Sequence, residues 1–179
     1  MTRPHLGYRA TQKQTPPALV AALCTLAYAS MKADYAIEGR LGLPGFPPRP
    51  ESTIGRDDIS RDEWGNVATA LIAAAIAIAT TTPIGQRIPR WLLTITLWIA
   101  CIAQVAGAVG FTLRATRILP DLGPGPTGWE TWLVLAVLDI GAIAWILTSI
   151  AVTRYGHPTA PRSDRISKGG PMRPPSPRK

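Results

Sequence analysis

Histidine and cysteine are almost missing from this chain of 179 residues, which has two of each. His5 and His157 stand near the two termini, outside every apolar run, so a histidine-held haem or zinc within the apolar part of the chain has no ligands. Cys24 and Cys101 both fall inside apolar runs, which argues against a disulfide framework of the secreted kind. Each reads as a small apolar filler, and their similar expected depth leaves a thiol pair open. Catalytic signatures are missing too: there is no G-x-S-x-G, no phosphate loop and no H-E-x-x-H. The one formal dinucleotide match, Gly123 to Gly128, follows no strand, and Pro124 and Pro126 remove backbone N–H donors that a pyrophosphate needs. No catalytic residue, metal or cofactor is expected, and the chain reads as non-enzymatic.

Charge is sparse as well, at 17% of residues, and acids are scarcer than bases, 11 against 19. The net charge of +8 raises the question of nucleic acid, but the basic residues sit in the termini and short connections beside apolar blocks. They read as topology signals, and no nucleic-acid partner is expected.

Hydrophobic residues, 46% of the chain, are gathered into blocks. The expected fold class is all-α, a four-helix transmembrane bundle with disordered basic tails. A cytoplasmic arm (1–16) precedes a membrane domain (17–153) with spans near 17–37, 66–84, 91–113 and 129–152, and a Pro-rich basic tail (154–179) follows. The connection 38–65 is expected outside the cytoplasm. Its prolines 44, 47, 48 and 50 interrupt regular structure, Asp57 or Asp58 caps at most a short helix, and Asp62 and Glu63 lie at the membrane edge as solvated charge. Twelve of the 19 Lys and Arg lie on the arm, the turn 83–90 and the tail, so both termini are expected on the cytoplasmic side of the cell membrane. The partners that follow are the lipid bilayer itself, anionic lipid headgroups for the basic tail, and a protein partner or a second copy.

The first span is the least regular. Its apolar run, Ala18 to Met31, is roughly 21 Å as a helix and short of a roughly 30 Å hydrocarbon core, so spanning requires the helix to continue through Lys32 and Asp34 toward Ile37. Continuation puts Tyr28, Lys32 and Tyr35 on one face. The preferred reading is a lysine snorkelling between two interfacial tyrosines; the other is a lysine turned inward toward a buried acid. Ala27-Tyr28-Ala29 before Ser30 also fits a signal-peptide cleavage site, which leaves removal of the first helix as an alternative.

The helix-exit motif Tyr28, Lys32, Tyr35, Glu38, Gly39, followed by Gly42 and Gly45 around Leu43 and Pro44, resembles small four-span bacterial integral membrane proteins of a domain-of-unknown-function family. Those read aromatic, Lys, aromatic, Gly-Gly at the exit of their first helix, and Glu38 stands here where the first glycine of that pair would be. The resemblance implies the four-span architecture. It implies no activity, because the family has none assigned.

Asp139 is the most informative single residue. It lies about ten residues inside the fourth span, near the expected midplane, where a carboxylate costs about 2.5–3.5 kcal/mol to insert. It should face the bundle. Gln104 on the third span and Lys32 on the first are its candidate partners, and the three form the candidate intramembrane polar cluster. The leading expectation is a protein acting through helix packing or partner contacts; the runner-up is a small proton- or cation-coupled transporter or permeation element using Asp139. Small-xxx-small pairs on the third span, Ala103/Gly107 and Ala106/Gly110, are expected to mark helix packing.

Overall fold

A computed structural model describes residues 6–47, 56–119 and 124–155. Four long helices account for most of them: α1 (Leu6–Glu38), α2 (Arg56–Ala79), α3 (Arg90–Ala115) and α4 (Glu130–Tyr155). One 3-10 turn, Gly85–Arg87, leads from α2 to α3. Among the described residues there is no strand, only an isolated bridge between Leu43 and Phe46. The described chain is therefore all-α, as the apolar blocks lead one to expect.

Alanine decides how the helices meet. Ala18, Ala21, Ala29 and Ala36 of α1 and Ala70, Ala74 and Ala77 of α2 are all buried, and methyl side chains let helix backbones approach closely. α1 packs chiefly on α2 and α4, α3 packs on α4, and α2 and α3 touch only lightly. Large apolar side chains point the other way: Leu23, Ile72, Ile99, Ile102 and Ile143 are each more than half exposed. Small inside and large outside is the arrangement of a bundle whose solvent is hydrocarbon. Asp58–Ala79, Arg90–Ala115 and Glu130–Arg154 are long and apolar enough to cross a membrane; α1, with Lys32 and Asp34 in its last third, is not among them. Trp91, Trp129 and Trp132 are exposed close to helix starts, and Trp64 is exposed about two turns into α2; indoles suit a membrane interface.

The helix ends follow from local chemistry. α2 closes at Thr80-Thr81-Thr82, whose hydroxyls donate back to the carbonyls of Ala77, Ile78 and Ala79 at 2.7, 2.8 and 3.3 Å and so supply partners for the last orphan acceptors. α1 closes at Gly39, with φ of 62°: the Arg40 N–H donates to the Tyr35 carbonyl at 2.9 Å and the Gly39 N–H to Ala36 at 3.3 Å, the paired bonds of a Schellman ending.

Two boundaries depart from expectation. α1 begins at Leu6, so most of the arm expected to be disordered is helical; Arg9, Gln12, Lys13 and Gln14 are good helix formers, and no proline intervenes before Pro16. α2 begins at Arg56, ten residues before the expected start of the second span, as one unbroken helix through the acidic segment. The basic tail beyond Tyr155 and residues 1–5 of the arm lie outside the described residues.

Candidate functional site

The polar centre of the molecule is an ion pair between α1 and α2. Lys32 is 6% exposed and Glu63 0%. The Lys32 ammonium lies 2.8 Å from Glu63 Oε2 and 2.9 Å from Oε1, and also donates to the Gly42 carbonyl at 2.9 Å. Glu63 accepts further bonds from the Gly42 N–H and from Asn66 Nδ2, each at 3.2 Å. The Tyr28 ring stands 5.9 Å from the ammonium on the remaining side, close enough for a cation–π contact. A charge taken out of water is tolerated when paired and hydrogen-bonded, and both partners here are.

Lys32 therefore turns inward, and the snorkelling reading gives way to its alternative. The sequence alone does not announce the acid it meets, because Glu63, beside Asp62 and behind a proline-rich stretch, has the look of solvated charge at the membrane edge. The signal was present once α2 is allowed to begin early. Ile59, Glu63, Val67, Ala70, Ala74 and Ala77 recur at spacings of three and four, which puts Glu63 on the helix face that packs against α1.

Residues 39–47 form a clasp over this pair. Gly42, with φ of 122°, bonds Lys32 and Glu63 with its carbonyl and N–H. Gly45 uses its carbonyl to accept from the Thr127 N–H at 2.9 Å and from Thr131 Oγ1 at 3.0 Å. Pro47 accepts from the Arg114 guanidinium, which also donates to Pro124 at 3.1 Å and lies 5.4 Å from the Phe46 ring. Leu43 and Phe46 are buried among Ala108, Val134, Leu135 and Leu138, and Phe46 meets Phe111 edge to face at 5.0 Å. Gly42 and Gly45 of the helix-exit motif thus tie α1 and α2 to the start of α4, and Pro47 ties them to Arg114 of α3. Of the rest of the helix-exit motif, Glu38 pairs with Arg40, and the Arg40 guanidinium lies 4.9 Å from the Tyr35 ring.

The expected cluster of Asp139, Gln104 and Lys32 is distributed over three places. Asp139 is half-buried and accepts from Thr112 Oγ1 at 3.3 Å; among the described residues it bonds neither Gln104 nor Lys32. Register is the reason. Trp98 Nε1 donates to Thr153 Oγ1 at 3.1 Å and Arg90 to the Thr153 carbonyl at 3.0 Å, so α4 sits against α3 with Asp139 level with Thr112, one turn from the α3 terminus. Gln104 is eight residues, roughly 12 Å, further along α3 and faces a groove between α2 and α3. Asp139 accordingly lies toward the Lys32 end of the bundle rather than level with the middle of α3.

At the centre, Trp145 of α4, 0% exposed, donates its indole N–H to Thr25 Oγ1 of α1 at 3.0 Å. Cys24 packs on Gly141, whereas Cys101 belongs to the core formed with Leu97 and Trp145; both thiols are free. Among the described residues no three His, Cys, Asp or Glu side chains converge as a metal-binding group. No protein-family model, curated protein or solved structure matches this chain.

Proposed function

We propose that the protein is a four-span integral membrane protein of the cell membrane, with both termini cytoplasmic, that acts without catalysis through helix packing and partner contacts. The observation that carries this reading is the saturation of its buried ions. Lys32 and Glu63 spend their hydrogen-bonding capacity on each other, on Gly42 and on Asn66, so the pair works as a lock between helices rather than as a reactive group. The same pairing supports α1 as the first span, because it removes the net charge that Lys32 would otherwise carry into hydrocarbon. Residues before Ser30 supply Ala18, Ala21, Ala22 and Thr25 to the core, which favours an intact first helix over one removed after Ala29. The excess of Lys and Arg on the arm, the α2–α3 turn and the tail supports the orientation.

A second reading, a proton- or cation-coupled carrier, rests on Asp139. Its carboxylate has one hydrogen bond, at 3.3 Å, and is only half-buried, so it retains acceptor capacity that Glu63 lacks. Vesicles reconstituted with the full chain and a trapped pH dye separate the two. The packing reading expects dye responses to an imposed potential or cation gradient equal to those of empty vesicles. A flux abolished by Asp139→Asn would replace it with the carrier.

A further inference from the structure

Where α2 and α3 stand apart, a groove of about 410 Å³ opens on the side of the bundle. Ala70 and Ala73 of α2 and Ala103 and Gly107 of α3 form its sides, and Tyr28 and Leu138 reach it from α1 and α4. It exists because these side chains are small. A Cβ added at Gly107 would meet nothing within 4 Å, and Ala103 is exposed, so this small-residue pair is left open among the described helices.

The lining is not wholly apolar, and its polar groups are incompletely used. The Tyr28 hydroxyl and the Gln104 amide make no hydrogen bond to any described residue. Asn66, which also lines the groove, donates its amide N–H to Glu63, and its side-chain oxygen accepts from no described residue. Tyr28 and Asn66 each touch the ion pair on one side and line the groove on the other. Among the described residues no Asp, Glu, Lys or Arg lines it, and the charges of Lys32 and Glu63 cancel behind it. A polar group facing hydrocarbon without a partner is costly. The groove therefore offers hydrogen-bond donors and acceptors but no counter-charge.

We propose that this groove binds a membrane-soluble amphiphile, with an uncharged hydroxyl- or carbonyl-bearing head against Tyr28 and Asn66 and one apolar chain along Ala70, Ala73, Ala103 and Gly107. This rests on the membrane-embedded reading above and goes beyond it in naming a ligand class. An apolar pocket with a few convergent polar groups is the usual form of such a site. A charged lipid headgroup finds no partner there. A helix from a second copy is the competing occupant; its own backbone is already hydrogen-bonded, so its apolar face leaves the Tyr28 hydroxyl without a partner.

The test uses the full chain in phosphatidylcholine vesicles with a monoacylglycerol carrying a diazirine in its chain, followed by irradiation and peptide mapping. Adducts are expected on α2 and α3 around the groove at about fivefold or more the level on Ile140, Ile143 and Leu147 of α4. Unlabelled monoacylglycerol should compete and phosphatidylglycerol should not. Gly107→Leu, whose side chain has open space to enter, and Tyr28→Phe should each lower the groove adducts about fivefold. Even labelling of the three helices, indifference to Gly107→Leu, or equal competition by phosphatidylglycerol would overturn the proposal. So would efficient disulfide linkage of two copies through Gly107→Cys, which assigns the groove to a helix. Flotation of the same samples reports embedding separately: protein that fails to float rejects the membrane reading and the site with it, whereas floating protein with even labelling rejects the site alone.

Discussion

Lys32 of α1 and Glu63 of α2, 31 positions apart, are joined through both carboxylate oxygens at 2.8 and 2.9 Å with neither side chain open to solvent. Removing one partner leaves the other charge buried and alone. Glu63→Ala or Lys32→Ala should cost about 3–5 kcal/mol in unfolding from mixed micelles. The double change Lys32→Met with Glu63→Leu should recover most of that loss, because an apolar pair of similar volume needs no compensation. Equal destabilisation by the single and double variants would mean that Gly42 and Asn66, rather than the pair itself, hold the two helices.

The clasp makes a second prediction. Gly45 has φ of 76°, and a Cβ there would lie 2.2 Å from Thr131 Oγ1 and 2.8 Å from the Thr131 nitrogen. Gly45→Ala should cost about 1–3 kcal/mol, and protease added to the clasp side of sealed vesicles should cut near Arg40 faster than in the parent. Thr131→Ala alone should be milder, since it removes one hydrogen bond and leaves the backbone of the clasp in place.

Helix glycines should divide by their surroundings. At Gly141 a Cβ would sit 3.0 Å from that of Cys24, so Gly141→Ala should push α1 from α4 and destabilise by about 1 kcal/mol or more. At Gly107 and Gly110 an added methyl meets nothing within 4 Å, and alanine there should be neutral or stabilising by up to about 1 kcal/mol. Thermal unfolding of the three variants decides the signs.

Trp145 and Thr25 give a fourth test. Thr25→Val keeps the shape and removes the acceptor of the buried indole N–H, which should cost about 1–2 kcal/mol and alter the environment-sensitive fluorescence of Trp145. Intact-mass measurement of the membrane-extracted protein should find residues before Ser30. A mass beginning at Ser30 would mean that Trp145 has no such partner in the mature chain.

The helices were legible and their register was not. Apolar blocks placed α3 and α4 to within three residues at each end, because a span is set by its own composition. The first turns of α2 were obscured by Asp57, Asp58, Asp62 and Glu63, which resemble a solvated loop until one asks which face of a helix each would occupy. The depth of Asp139 relative to Gln104 depends on how far α4 slides along α3. That slide is fixed by Thr153 meeting Trp98 and Arg90, contacts between exposed ends that no periodicity announces. Lys32 stands out in the sequence as the anomaly of the first span, but its partner lies on the far side of a proline-rich connection.

The clasp also carries an order of events. Lys32 and Glu63 belong to the first helical hairpin, so on the proposed four-span reading a chain entering the bilayer from its N-terminus brings both charges in together, before α3 and α4 exist to shelter them. Gly45 must wait for Thr127 and Thr131, at the start of the last helix. Neutralisation comes early and fastening comes last: a ribosome stalled before residue 127 would hold a hairpin that is already charge-balanced but still unlatched.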